Sequence, residues 1–367
     1  MFKAEELFQN VTDKNHPDET VLTIIQGKGT LPREQAGRNI HYDDASLSNY
    51  KKVEQGDFII HLRSFEGGLE MANEAGIVSP AYTILRCKRP HSSLFYDAYF
   101  HTDEFINHNL SKSVEGIRDG RQISYEAFKW LGIPYCEPTE QEKISNLFAA
   151  LNERIAKQRD LVESLKKYKR GLLMHYFSDD KTQLWTQCSV SQIGKVITGS
   201  TPPTNDRSNY DGDLLFCAPG DVGEQKYISS TEKRVSPKGF ALGRPLPPNS
   251  VIVTCIGLIG KLGIAKTSMI TNQQINALVV SEGFDHEFIY YAFENFFPEY
   301  RSKVSMQTLP ILSKSEFEKL MIKMPDLDVQ HKISSHLAAM DRRIEHTQQE
   351  LNALIEHRRG IMQQLFI

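Results

Sequence analysis

After Pro138 the apolar residues fall in steps of four and three: Ile144, Phe148, Leu151 and Ile155, then polar Gln158, then Val162, Leu165 and Leu172. That spacing lines one stripe of an α-helix, and a period near 3.5 residues held over several turns is a coiled-coil seam. No further proline or glycine interrupts the run before Arg170-Gly171. From Ile144 to Leu172 is 172 − 144 = 28 steps, roughly 42 Å at about 1.5 Å per residue. A lone helix of that length would leave its apolar stripe in water, so the pattern predicts a partner.

The C-terminal stretch repeats the pattern with Ile333, Leu337, Met340 and Ile344, then polar Thr347, then Leu351, Leu354 and Ile361. The letters repeat as well. Gln330-His331-Lys332-Ile333-Ser334 matches Gln141-Glu142-Lys143-Ile144-Ser145, Arg359-Gly360 matches Arg170-Gly171, and Phe366 matches Phe177, at the constant offset 330 − 141 = 366 − 177 = 189. Each helix is therefore the natural partner of the other. An antiparallel pair is favoured. A parallel pair needs a crossover as long as the helix, which the intervening segment could supply. Gln158 and Thr347 interrupt the two seams at equivalent points, where polar residues disfavour shifted pairings.

Ahead of each helix lies a stretch of mixed pattern. Short β-branched runs predict strands at Val21–Gln26, Phe58–Leu62, Ala81–Arg86, Leu214–Ala218, Val251–Ile256 and Ala277–Val280. Helices are predicted over Phe288–Phe297 and over Ser313–Met321, the latter opening on a Ser313/Glu316 capping box. These stretches repeat too, at 252 − 59 = 193: Phe58-Ile59-Ile60 matches Val251-Ile252-Val253, Gly67 matches Gly260, Leu85 matches Leu278, and the aromatic run 95–100 matches 288–293. The two registers differ by 193 − 189 = 4, which places one loop-length change between Phe100 and Ile123. The chain thus reads as two halves, with a mixed unit at 1–137, a helix at 138–178, a second mixed unit at 185–325 and a second helix at 326–367.

Composition changes this picture little. Of 367 residues 40% are hydrophobic and 24% charged, enough for two packed cores. No apolar run approaches a membrane span, and Met1–Glu6 lacks the apolar core of a signal peptide. Cys87, Cys136, Cys188, Cys217 and Cys255 show no CxxC spacing, which argues against zinc and disulfides and fits a reducing, cytoplasmic setting. Residues 1–137 hold 15 Lys+Arg against 20 Asp+Glu, a balance of −5, and residues 185–325 hold 14 against 13, a balance of +1. Any affinity for nucleic acid must then come from local patches.

Two motifs invite a catalytic reading. Ser79-Pro80-Ala81-Tyr82 approaches the loop with which adenine methyltransferases hold a flipped base, but Ala81 breaks it and no Gly-rich strand–turn–helix for a methyl donor accompanies it. With Asn272-Gln273-Gln274-Ile275 it is read as a strand entrance. Gly257-Leu258-Ile259-Gly260-Lys261-Leu262-Gly263 lacks Walker spacing and is read as a turn suited to a DNA phosphate. The twelve histidines show no metal-ligand spacing.

Two globular units, each followed by a helix opening on a Gln-x-Lys-Ile phrase, resemble the specificity (S) subunit of type I restriction–modification systems. The most specific features are the two helix phrases, Gly56–Ile60 with Ser64-Phe65-Glu66-Gly67-Gly68, Ser79–Tyr82 and Asn272–Gln274. The resemblance implies an α+β fold of two mixed α/β target recognition domains joined by two long helices in an antiparallel coiled coil, an internal pseudo-twofold repeat. It implies a non-catalytic subunit that reads one half of a bipartite DNA target with each domain. The helices would space the domains and dock two methyltransferase subunits, which would carry S-adenosylmethionine. This chain would hold no cofactor or metal, and restriction/translocase subunits would join the complex. One departure is visible. The second unit opens on Ser191-Gln192-Ile193-Gly194, whereas Met1 leaves little room for a counterpart in the first.

Base reading needs Arg, Lys, Asn, Gln, Ser or Thr on loops facing a groove. Candidates are Gln26, Lys28, Arg33, Arg38 and Arg63 in the first unit. In the second they are Thr201, Asn205, Arg207, Tyr210, Lys226, Lys233, Arg234, Lys238 and Lys261. A coiled-coil scaffold that binds proteins and no DNA is the rival reading.

Overall fold

A computed structural model describes residues 1–36, 44–116, 122–223, 225–304 and 310–366. The chain divides into two compact units, one of residues 1–160 with 348–367 and one of residues 161–347. Each unit is a globular head with half of each long helix.

The long helices span Pro138–Tyr176 and Leu327–Leu365. In the first unit the start of one lies against the end of the other. The rings of Phe148 and Phe366 stack 6.3 Å apart, Arg358 Nη1 donates to Asn152 Oδ1 at 2.6 Å, and Gln158 Nε2 donates to Glu350 Oε2 at 2.9 Å. In the second unit the end of the first helix lies against the start of the second, with Tyr176 Oη 2.5 Å from His336 Nδ1 and Lys169 Nζ 2.7 Å from Asp341 Oδ1. The pairing is antiparallel in both.

Of the fourteen seam positions, Phe148, Ile155, Val162, Leu165, Ile333, Leu337, Met340 and Leu351 are buried, while Ile144, Leu151, Leu172, Ile344, Leu354 and Ile361 are half-buried. Near the C-terminal end of each helix the fully buried position is one residue later, at Leu173 and Met362. A helix of 3.6 residues per turn drifts from a strict 3.5 repeat by about 20° per heptad, which moves the stripe in that sense. Thr347 is buried, and its hydroxyl donates to the Arg343 carbonyl of its own helix at 2.8 Å.

Both heads contain the same four antiparallel strands in the same order. In the first they are Phe8–Val11, Thr83–Cys87, Phe58–Ile60 and Glu70–Met71. In the second they are Gly194–Thr198, Ile275–Val280, Val251–Thr254 and Leu262–Ala265, and Tyr227–Ile228 adds a parallel fifth. Phe58 faces Met71 and Leu85 where Val251 faces Ile264 and Leu278, so strand pairing keeps the 193 offset residue for residue. A second sheet of Lys233–Val235, Tyr210–Cys217 and Met269–Thr271 belongs to the second head. The first core closes on the rings of Phe8, Phe58, Tyr96 and Phe100, the second on Phe288, Phe293, Phe297 and Phe317. Helix His286–Val304 and helix Lys314–Lys319 form as predicted, the latter with Ser313 N donating to Glu316 Oε2 at 2.9 Å.

The opening of the first unit corrects an expectation. Strand Phe2–Lys3, turn of helix Ala4–Leu7 and strand Phe8–Val11 correspond to Thr186–Ser189, Val190–Ile193 and Gly194–Thr198. In both, the backbone N–H before the helix donates to a side chain three residues on, Lys3 to Glu6 and Ser189 to Gln192, each at 2.8 Å. The counterpart of the second unit's opening is therefore present in the first.

The repeated helix phrase has a structural cause. Gln141 Nε2 donates to the Cys136 carbonyl at 2.8 Å, and its Oε1 accepts the Ser92 N–H at 3.0 Å. Gln330 does the same to the Pro325 carbonyl (2.8 Å) and the Asp285 N–H (2.9 Å). Ser145 Oγ meets Ser92 Oγ at 2.6 Å, and Ser334 Oγ donates to Asp285 Oδ2 at 2.5 Å. Ser92 and Asp285 precede the helices Ser93–Phe100 and His286–Val304. The Gln-x-x-x-Ser phrase thus ties each long helix to the N-terminus of the head's principal helix. All four residues of the phrase are buried, and a buried donor or acceptor left without a partner costs about 1–3 kcal/mol. Gln330→Ala is expected to lower unfolding stability by about 2 kcal/mol, read by urea denaturation. A change indistinguishable from zero would remove the clamp.

Candidate nucleic-acid interface

One end of each head's sheet gathers the loops. In the first head this end carries the segment after Ile60, the Ser79–Tyr82 turn entering strand Thr83–Cys87, and the hairpin Leu22–Ile25/Gly29–Pro32. Buried Glu70 fixes the hairpin tip. Its Oε1 accepts Gly27 N–H at 2.6 Å and its Oε2 accepts Gly29 N–H at 2.9 Å. Gly27 and Gly29 have φ of +73° and +76°, the left-handed conformation that favours glycine. Asn73 Nδ2 donates to the Lys28 and Thr30 carbonyls at 2.8 and 2.9 Å. The tip therefore presents Gln26 and Lys28 to solvent on a rigid base, with the Gln26 amide packed where a side chain at Gly67 would stand.

Arg63 lies just past the central strand, is exposed, and pairs with Glu66 at 2.6 Å. Arg33 opens a short turn at Arg33–Ala36, its guanidinium 6.0 Å from the Tyr50 ring. Arg38 falls outside the described residues. In Ser79–Tyr82 the Ser79 Oγ accepts the Ala81 N–H at 3.3 Å, Tyr82 packs edge-on against His61, and Lys51 Nζ donates to the Tyr82 carbonyl at 2.5 Å. The polar groups of this turn serve its own conformation.

Glu70 is compensated by His101, whose Nε2 lies 3.4 Å from Oε1. Burial pulls the imidazole towards neutrality, but the hydrogen bond to Glu70 and the charge of Asp97 outweigh it and raise the pKa to about 9. For Glu70 burial opposes the charge, and His101 with the two glycine amides holds the carboxyl below its ordinary value.

In the second head the corresponding end carries the residues after Thr198, the Asn272–Gln274 turn and the loop after Thr254. Ser200 N donates to Thr271 O (2.8 Å), Gly199 N to Ile275 O (3.0 Å) and Cys255 N to Gln274 O (2.8 Å), so the three loops form one platform. Thr201 Oγ1 donates to Gln273 Oε1 at 2.7 Å, and both side chains are exposed. Arg244 reaches in to donate to the Thr198 carbonyl at 2.8 Å. Gln273 and Arg244 were not among the sequence candidates. Gln273 stood in the quoted Asn272–Gln274 phrase, but nothing in the sequence aligns it with Thr201.

The other candidates disperse. Lys238 pairs with Asp206 at 2.7 Å beside exposed Asn205 and Arg207. Lys233 and Arg234 are exposed but lie in strand Lys233–Val235, of which Val235 is buried. Tyr210 begins strand Tyr210–Cys217 and donates its hydroxyl to the Pro202 carbonyl at 2.6 Å. The loop assignments of these three are corrected. Lys261 is half-buried along Gly223, and its backbone N–H donates to Thr254 Oγ1 at 3.0 Å. Lys226 is withdrawn from any groove. Only 12% of its side chain is exposed, and its Nζ donates to Glu287 Oε1 (2.8 Å) and Tyr291 Oη (2.9 Å). The run continues from Tyr291 Oη to Asp341 Oδ2 (2.5 Å), and from Asp341 Oδ1 to Lys169 Nζ, which also meets Glu294 at 2.8 Å.

Comparison with known proteins shows what this arrangement is similar to. Residues 183–357 match the model of the type I restriction modification DNA specificity domain. The type I restriction enzyme MjaIX specificity subunit of Methanocaldococcus jannaschii is 30% identical over 178 residues, 47% of this chain and 41% of that one. The HindI specificity subunit of Haemophilus influenzae is 29% identical over 108 residues, 29% of this chain and 24% of that one. The chain thus matches less than half the length of these curated relatives. Among solved structures, a chain from a study of complex assembly and conformational transition of the type I R-M system superposes with TM-score 0.63 at 17% identity, covering 100% of this chain and 96% of that one. The type I S subunit of M. genitalium does so at 0.61 and 14%, covering 100% and 95%. The fold is that of these chains, and residues 183–357 are similar to the DNA specificity domain of type I restriction–modification systems.

Proposed function

We propose that this chain is the DNA-recognition subunit of a type I restriction–modification complex, and that each head reads one half of a bipartite duplex target. The observation that carries the reading is the repeat itself. Strand order, register and the Gln-x-x-x-Ser clamp recur in both heads, whereas the groups displayed at the sheet ends differ. Gln26, Lys28 and Arg63 stand at one, Thr201 and Gln273 at the other. Two readers of different sequence on one frame require that combination. Arginine, lysine and glutamine on rigid loops suit base edges and phosphates.

In this reading the chain performs no chemistry. Two methyltransferase subunits dock on the paired helices and bring S-adenosylmethionine, and restriction/translocase subunits complete the cytoplasmic assembly. A gel shift with duplex DNA, with and without the methyltransferase partner, separates this from a DNA-independent scaffold. Exchange of residues 185–322 for those of another family member is expected to change one half of the methylated motif and leave the other intact, as read by methylome sequencing. A change in both halves would refute the division of labour.

A further inference from the structure

Each head places an exposed leucine in the same connection of its fold. The connection between the strands that carry Phe58–Ile60 and Glu70–Met71 presents Leu62, 61% exposed, and the equivalent connection between Val251–Thr254 and Leu262–Ala265 presents Leu258, 68% exposed. The two leucines share this connection and not a position within it, since 62 + 193 = 255.

Both loops are held stiff. In the first, His61 N–H donates to Ser64 Oγ at 2.9 Å and Gly68 N–H to Ser64 O at 2.9 Å. In the second, Thr254 Oγ1 donates to the Leu258 carbonyl, Gly260 N–H to Thr254 O (2.8 Å) and Gly257 N–H to Pro310 O (3.0 Å). A cation accompanies each leucine: Arg63 adjoins Leu62, and Lys261 lies three residues after Leu258. Each connection also leaves the sheet beside the turn that enters the neighbouring strand. Ile60 faces Thr83, next to Tyr82, and Cys255 N–H bonds the Gln274 carbonyl, next to Gln273.

Neither side chain contributes to its own core, and a single exposed leucine on a protein surface is unremarkable. Two, held on hydrogen-bonded loops in equivalent connections of two repeated heads and accompanied by cations, point to a common occupant. An aliphatic group on a pre-ordered loop beside phosphate-seeking cations suits a nucleic-acid groove, where it meets a thymine methyl or wedges at a base step. Pre-ordering removes the entropy that a mobile loop would lose on binding.

We propose that Leu62 and Leu258 are base-contacting side chains, one in each half-site, while Arg63 and Lys261 address the flanking phosphates. The proposal rests on the DNA-recognition reading above. The test uses the full chain with its methyltransferase partner and a duplex carrying the methylated motif, with affinity measured against salt concentration. Leu62→Ala and Leu258→Ala are each expected to weaken binding about tenfold through lost apolar contact. The salt slope should stay unchanged, because an apolar contact releases no counterion. Arg63→Ala and Lys261→Ala should instead flatten the slope by about one. Each leucine variant should relax discrimination in its own half-site, and melting temperatures should match the parent because both side chains are already in water. Leucine variants that bind as the parent does, or whose loss comes with a flatter slope, would overturn the proposal and leave the DNA reading standing. A parent complex that does not bind the duplex would overturn that reading itself.

Discussion

Lys169→Met is expected to destabilise the second unit by about 3 kcal/mol, the cost of leaving two half-buried carboxylates without their cation. Lys169 Nζ lies 2.7 Å from Asp341 Oδ1 and 2.8 Å from Glu294 Oε2, and only 12% of its side chain is exposed. Burial alone would pull its pKa down, but the charges of Glu294 and Asp341 hold it above the usual lysine range. Without the ammonium Asp341 keeps the Tyr291 hydroxyl, while Glu294 loses the donor that reaches its Oε1. Tyr291, which donates to Asp341, and Lys226, which reaches Tyr291 and Glu287, would be disturbed in turn. The 189 offset supplies a control: 169 + 189 = 358 and 341 − 189 = 152, and Arg358 Nη1 donates to Asn152 Oδ1 at 2.6 Å. The partner there is neutral, so Arg358→Met is expected to cost about 1 kcal/mol, that of one hydrogen bond. Adding Glu294→Gln to Lys169→Met should recover part of the loss by removing one of the two acids. Urea denaturation followed by circular dichroism reads all three. Equal losses for Lys169→Met and Arg358→Met would show that packing, and not charge, decides both sites.

The repeated frame was legible in the sequence because it is written in hydrophobic spacing. The 193 offset between Phe58 and Val251 became a conserved strand register, and the 189 offset became two antiparallel halves of a helix pair. The counterpart of the second unit's opening is written in pattern and not in letters. Ala4-Glu5-Glu6-Leu7 and Val190-Ser191-Gln192-Ile193 share only apolar residues at the first and fourth positions and a Glu or Gln at the third. That is all a single helical turn with a capping side chain needs. The site was less legible. A lysine between Gln225 and Tyr227 looks like a loop cation, and only the fold brings Glu287 and Tyr291 to Lys226. Gln141 and Gln330 were visible as repeats, but their partners, Ser92 and Asp285, are different residues and revealed nothing until the head was folded. Glu70 is one acid among many in a sequence. Its two glycine amides lie 43 and 41 residues upstream.

Glu70→Ala is expected to cost the first unit about 3 kcal/mol, since it removes a counter-ion of half-buried His101 and the acceptor of two amide donors, of which Gly29 is buried. The hairpin tip bearing Gln26 and Lys28 would lose its anchor, so specific binding should weaken more than melting alone accounts for. The pH dependence identifies the mechanism. His101 has its folded pKa raised to about 9 from 6.5 by Glu70 and Asp97 against the pull of burial, with His61 also facing Glu70 across the cluster. A raised folded pKa means that the folded state binds the proton more tightly, so this stabilisation is fully present below about pH 6.5. It is lost as pH rises through about 9, an effect on the order of 3 kcal/mol. Glu70 has its folded pKa lowered, so its share is present above about pH 4.5 and is lost as pH falls through the lowered value. Unfolding free energy of the first unit should therefore decline between pH 6.5 and 9. Glu70→Gln, which keeps the volume and removes the charge, should abolish most of that alkaline decline while lowering stability at pH 6. A decline that persists undiminished in Glu70→Gln would assign it to another group and free the hairpin tip from this control.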